Sequence, residues 1–105
     1  MKTISEPVKQ ALRELTRRKG ELAGLNRRKQ QLEQEIGTIG QEQERIRKNM
    51  ESISKNSDLY NRYVKKFTDQ EDQVEKHREA IRELAAEITK TQQALDDYVK
   101  ELKVS

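Results

Sequence analysis

Apolar residues recur along the first half of the chain at alternating steps of three and four residues. With Val8 taken as position a of a heptad, eleven of the fourteen a and d positions up to Ile53 are apolar. A strict seven-residue repeat of this length is typical of a helix that supercoils around another helix. The predicted seam of the first helix contains Leu15, Leu22, Leu25, Leu32, Ile36, Ile39, Ile46, Met50 and Ile53.

The same repeat returns in the second half of the chain. Ten of the thirteen a and d positions between Tyr60 and Leu102 are apolar, so this half also predicts a coiled-coil helix. The predicted seam of the second helix contains Tyr60, Tyr63, Phe67, Val74, Ile81, Leu84, Ile88, Leu95 and Tyr98.

Short polar residues interrupt the helical pattern between the two repeats, because such side chains compete for backbone hydrogen bonds and favour caps and turns. Asn56 tolerates the left-handed conformation that ends many helices, and Ser57 suits a helix N-cap. We therefore predict one all-α unit over residues 1–105, a long antiparallel two-helix coiled-coil hairpin with helices at about 5–54 and 58–103. The predicted turn contains Lys55, Asn56, Ser57 and Asp58.

Folding the chain back at this turn pairs positions whose numbers sum to 113. The polar seam residue Gln43 then lies opposite Gln70, and in this polar layer each side-chain amide can satisfy the other. The alternative is one continuous helix that dimerises in parallel as a rod and acts as a tether. That register buries Glu71 and Arg78 in the seam, which costs more than burying the neutral polar residues of the hairpin register.

Composition narrows the class of protein further. Only 31% of the residues are apolar and 39% are charged, so a globule of this size would lack a sufficient core. The chain has no cysteine, which removes disulfide and thiolate chemistry. No apolar run reaches the roughly 20 residues of a membrane span, and the first six residues do not form a signal peptide, so no membrane insertion is expected.

No arrangement of residues points to catalysis, a metal or a cofactor. The carboxylates have no concave site in which to converge, and no phosphate-binding loop, nucleophile elbow or catalytic triad is present. His77, the single histidine, falls in the seam, and Gln73 one turn earlier is a poor metal ligand. Protonation of His77 would place a charge in the seam, so the hairpin is expected to weaken modestly in acid.

Two basic clusters in the first helix raise the alternative of nucleic-acid binding. The first cluster is Arg17, Arg18 and Lys19, and the second is Arg27, Arg28 and Lys29. Ten residues of helix place the clusters about 80° apart around the axis, so they do not form one stripe. Acidic residues interleave with them, and no aromatic side chain is near enough to stack on a base. Nucleic acid is therefore the disfavoured partner, and a solvated basic face is expected instead.

Protein is the expected partner. On the second helix, Ala80, Ala85, Ala94 and Val99 widen the apolar stripe beyond a strict a and d seam. Because a two-helix hairpin has a thin core, we expect self-association into a four-helix bundle or docking to other domains of a larger protein. The expected role is a structural arm or spacer.

Three short motifs lie between residues 41 and 84: Arg45 to Arg47 before Asn49 and Met50, then Ser57 to Tyr60 with Arg62 to Val64, and Gln70 to Asp72. This segment resembles the helical part of bacterial mucoidy-inhibitor-A-like proteins, a family of undefined function. The resemblance implies that the chain is an arm of a larger bacterial protein in which β-rich domains accompany such helices. It also implies a cell-envelope or exported location and no catalytic residue.

Overall fold

The structure is a computed structural model that describes residues 5–104, with side chains described to residue 103. Two α-helices account for nearly all of this range: α1, Glu6–Glu51, and α2, Asp58–Val104. The predicted all-α helical hairpin is confirmed, and one continuous helix that dimerises as a rod is excluded.

The chain divides into two compact units. One unit contains Gln30–Arg82, and the other contains Met1–Lys29 together with Glu83–Ser105. The heptad repeat runs through both boundaries without a break, so the sequence pattern gives no sign of this division.

The helix α1 ends at Glu51, three residues earlier than the predicted end at about residue 54. The backbone N–H groups of Ser52 and Ile53 donate to the carbonyls of Asn49 (3.2 Å) and Met50 (3.4 Å). These bonds to the third preceding residue tighten the last turn and satisfy carbonyls at the helix end. The left-handed conformation expected at Asn56 is not adopted, since no residue between 5 and 104 has a positive φ.

Ser57 caps the start of α2 with its side chain. Its Oγ accepts a hydrogen bond from the backbone N–H of Tyr60 at 3.1 Å and donates to the carbonyl of Ser54 at 2.6 Å. Asp58 places a negative charge in the first turn, where it complements the helix dipole. The cap therefore fixes both the start of α2 and the end of the turn.

The core of the molecule is thin. Among residues 5–103, the buried hydrophobic side chains are Ile46, Val74 and Leu95, and Ile46 alone is fully buried. The other residues named above as the predicted seam are half-buried, and none of them is exposed. The two helices thus cover each other's apolar residues only in part.

Candidate protein-interaction surfaces

A polar layer lies in the unit of residues 30–82. Gln43 and Gln70 are both 9% exposed, but the two amides do not satisfy each other as expected. Gln43 Nε2 donates instead to Glu71 Oε1 at 2.9 Å, and Gln70 Oε1 is buried without a hydrogen-bond partner. A carboxylate is a stronger acceptor than an amide oxygen, which is why Gln43 turns toward Glu71.

Ion pairs and hydrogen bonds flank this layer and connect α1 with α2. Lys66 Nζ lies 3.2 Å from Glu42 Oε1, and Arg45 Nη2 lies 2.5 Å from the same oxygen. The hydrogen bond from Arg45, followed by that from Lys66, lowers the pKa of Glu42 to about 2. Closer to the turn, Asn49 Nδ2 donates to Tyr63 Oη at 3.3 Å.

His77 also meets a carboxylate. Its Nε2 lies 2.9 Å from Glu35 Oε2, and its side chain is 21% exposed. The His77 ring therefore faces an acidic side chain as well as the apolar seam. The modest weakening of the hairpin in acid that is expected from His77 stays a prediction.

In the other unit, Arg18 and Tyr98 join the two helices. The Arg18 guanidinium lies over the Tyr98 ring, 5.0 Å from its centroid, which is the geometry of a cation–π contact. The Tyr98 hydroxyl donates to the Ala11 carbonyl at 3.4 Å. Arg18 is thus held along the seam with its side chain 29% exposed, as expected for a long basic side chain at such a position.

The basic cluster around Arg17 is largely neutralised within α1. Arg17 pairs with Glu14 at 2.6 Å and also with Glu21, and Arg18 Nε lies 3.0 Å from Glu14. The hydrogen bond from Arg17 holds the pKa of Glu14 below its usual range. Charges that are already paired along the helix are less available to bind phosphates, so the cluster around Arg17 is a poor site for nucleic acid.

An apolar groove of about 530 Å³ lies in the same unit and is lined by Pro7, Val8, Ala11, Leu12, Leu15 and Leu102. Three of its side chains are large and exposed: Val8 by 49%, Leu12 by 50% and Leu102 by 39%. Apolar surface concentrated in this way is typical of a protein-binding site. The sequence repeat had assigned Val8, Ala11 and Leu102 to seam positions, but without a sign that they would stay accessible.

Other classes of site have no counterpart among the described residues. Between residues 5 and 104, no group of histidine and acidic side chains is arranged to hold a metal ion. Within the same range, neither helix contains a stretch apolar enough to cross a membrane.

Two long helices with a heptad seam and an accessible apolar groove define a coiled-coil protein-interaction region. A family model for NAB conserved region 2 (NCD2) matches residues 1–102, and the chain belongs to that family. No curated protein and no solved structure matches the chain.

This match corrects the family inferred from short motifs. The resemblance to bacterial mucoidy-inhibitor-A-like proteins is wrong, because the matching family is that of the eukaryotic NAB co-repressors. The motifs around Ile46 and Met50 consist of seam residues and neighbouring charges, which unrelated coiled coils share. The envelope or exported location rested on that resemblance alone and is withdrawn with it.

Proposed function

We propose that this region is a non-catalytic arm that binds protein, and that its first partner is a second copy of itself in a four-helix bundle. The observation that carries the proposal is the incomplete burial of the apolar seam. Ile46, Val74 and Leu95 are buried, whereas Val8, Leu12 and Leu102 remain exposed around one groove. Covering such a surface in a bundle removes apolar area from water, which is the main driving force of helix association.

The family supports the coarser part of this proposal, since NAB conserved region 2 is a coiled-coil interaction domain. The finer part concerns which protein is bound. Docking to other domains of a longer parent protein would use the same apolar groove as binding to a second copy. An experiment on the isolated chain distinguishes these two partners, because only a second copy is then present.

Sedimentation of the isolated chain at concentrations from about 10 µM to 1 mM tests self-association. We expect the mass to rise with concentration and to fall toward the monomer when Leu12→Glu and Leu102→Glu are combined. Val64→Glu is the matched control, because Val64 is a similarly exposed apolar residue, 41% accessible, that does not line the groove.

Two results would contradict self-association through the groove. A monomer mass at every concentration would refute self-association. A mass that rises equally in the wild type and in the double variant would show that the copies meet through another face.

A further inference from the structure

A second groove, of about 500 Å³, lies between α1 and α2 in the unit that also holds the apolar groove. The residues that line it include Lys19 of α1 and Leu95, Asp96, Val99, Lys100 and Lys103 of α2. None of its lining residues lines the apolar groove. We call it the basic groove, because three lysines and one acidic residue line it.

The floor of the basic groove is apolar and its rim is charged. Leu95 is buried, with 7% exposure, and Val99 is half-buried. Lys19, Lys100 and Lys103 are all exposed. A lysine side chain can lie along apolar surface while its ammonium group stays in water. The groove therefore offers a ligand an apolar contact and positive charge together.

The chain does not neutralise these charges itself. Among residues 5–103, none of the three lysines forms an ion pair. Helical neighbours do not account for Lys19 or Lys103, since no acidic residue of this sequence lies three or four positions from either. Lys100 has Asp96 one turn earlier, but the Asp96 carboxylate accepts a hydrogen bond from Gln92 Nε2 at 3.0 Å. The groove thus keeps an excess of positive charge.

The cations lie toward both ends of the apolar floor. The seam register, in which paired numbers sum to 113, puts Lys19 level with residue 94, just before Leu95. Lys103 lies nine residues beyond that level, which is about 13 Å at 1.5 Å per residue. Val99 lies between the two levels. A ligand along the groove therefore meets positive charge, then apolar surface, then positive charge.

We infer that the basic groove binds an acidic amphipathic helix of another protein. The lysines favour carboxylates near both ends of such a helix, and Leu95 and Val99 favour apolar side chains between them. A helix of about ten residues spans this distance, and amphipathic helices commonly bind in grooves. Both the partner and the surface go beyond the self-association proposed above, which uses the apolar groove.

The two kinds of contact have different roles in this binding. Exposed ion pairs are individually weak, so burial of apolar side chains on Leu95 and Val99 supplies most of the affinity. The lysines attract an acidic partner and disfavour a basic one, because like charges would then be brought together. Selectivity therefore depends on the rim and strength on the floor.

A nucleic acid fits the basic groove less well. Its phosphates gain nothing from the apolar floor, and the carboxylate of Asp96 repels them. No aromatic side chain is among the described residues that line the groove, so a base has no ring on which to stack. A protein segment uses both the floor and the rim.

Fluorescence anisotropy with a designed peptide tests the inference. The probe is a fluorescein-labelled helical peptide with two leucines one turn apart and a pair of glutamates beyond each of them. At about 0.1 M ionic strength, the Debye length of about 10 Å screens distant charges more than close pairs. Combining Lys19→Glu with Lys103→Glu should weaken binding by about tenfold or more, because like charges then meet. Val99→Ser should weaken it by about fivefold through the floor.

Two matched controls separate the groove from net charge. Lys48→Glu with Lys90→Glu changes the net charge equally at two exposed lysines outside the groove, and the affinity should stay within about twofold of the wild type. A peptide with lysines in place of the glutamates should not bind the wild type but should bind the Lys19→Glu, Lys103→Glu variant. Circular dichroism checks that every variant keeps its helices.

Three results with the peptide would overturn the inference. They are no binding to the wild type up to about 1 mM protein, equal binding by the Lys19→Glu, Lys103→Glu variant, and an equal loss in the Lys48→Glu, Lys90→Glu control. Tighter binding of a labelled DNA strand with the same net charge as the peptide would instead assign the groove to nucleic acid.

Sedimentation separates this inference from the proposed function. We expect the Lys19→Glu, Lys103→Glu variant to self-associate like the wild type, because its apolar groove is intact. Loss of self-association in that variant would assign the basic groove to a second copy and overturn the inference. A wild-type chain that binds the peptide but stays monomeric would refute the proposed self-association alone.

Discussion

Lys66 Nζ and Glu42 Oε1 lie 3.2 Å apart and form an ion pair between α2 and α1. The Glu42 carboxylate also receives a hydrogen bond from Arg45 of its own helix, and the two cations lower its pKa to about 2. One carboxylate thus links a contact within a helix to a contact between helices.

The lowered pKa of Glu42 predicts how the stability of the hairpin depends on pH. Because the folded pKa lies below the ordinary value of 4.5, the stability contributed by the ionised carboxylate is present above pH 4.5 and is lost as the pH falls toward 2. We expect Glu42→Gln to lower the melting temperature at pH 6 and to flatten its fall between pH 4.5 and 2, measured by circular dichroism.

Glu44→Gln is the control for that experiment. Glu44 is an exposed carboxylate that pairs with Arg47 of its own helix at 3.2 Å and with no residue of α2. If the Glu42 and Glu44 variants give parallel melting curves from pH 6 to 2, the link through Lys66 contributes nothing measurable.

The unpartnered amide of Gln70 predicts that an apolar residue would stabilise the hairpin. Gln70 Oε1 is buried without a hydrogen-bond partner, and such a group costs about 1–3 kcal/mol. We expect Gln70→Leu to raise the free energy of unfolding by about 1–2 kcal/mol in urea titrations. Gln73→Leu, at an exposed position of the same helix, should change it by less than about 0.5 kcal/mol. A destabilised Gln70→Leu protein would show that the amide is satisfied in solution.

The side-chain cap at Ser57 predicts a local cost on its removal. Ser57→Ala deletes the acceptor that holds the Tyr60 N–H at 3.1 Å, so we expect a loss of about 1 kcal/mol in the free energy of unfolding. Ser52→Ala is the comparison, because the Ser52 hydroxyl donates to a carbonyl at the end of α1 and caps no N–H group. Equal effects of the two substitutions would argue against a capping role for Ser57.

The contact between Arg18 and Tyr98 predicts an interaction energy that a double-mutant cycle can measure. With Arg18→Met and Tyr98→Leu, we expect a coupling of about 0.5–1 kcal/mol in the free energy of unfolding. The same cycle with Arg13→Met should give a coupling near zero, because Arg13 is exposed and lies against Glu6. No coupling between Arg18 and Tyr98 would mean that the guanidinium does not stay over the ring.

The heptad repeat predicted two coiled-coil helices, and the short polar residues between them predicted the reversal. A period of 3.5 residues reports which face of a helix is apolar, and Ile46 and Val74 are seam residues that the structure buries. The repeat did not predict the exact end of α1. Hydrogen bonds from Ser52 and Ile53 to the third preceding residue end the helix before the polar turn begins, and periodicity carries no information about such bonds.

Contacts made by long side chains were also poorly predicted. Gln43 was paired with Gln70 because the two are opposite in register, but the nearby carboxylate of Glu71 competed for the same donor. The family was misassigned for a different reason, since short motifs centred on seam residues recur in unrelated coiled coils.

The connection between α1 and α2 contains no residue in the left-handed region of backbone angles, since no residue between 5 and 104 has a positive φ. This connection therefore needs no glycine, and its structural side chains are Ser57 at the cap, Ser54, whose hydroxyl accepts from the Asn56 N–H at 3.3 Å, and the half-buried Ile53. It is a suitable place to insert a short peptide tag or a fluorophore without disturbing either helix.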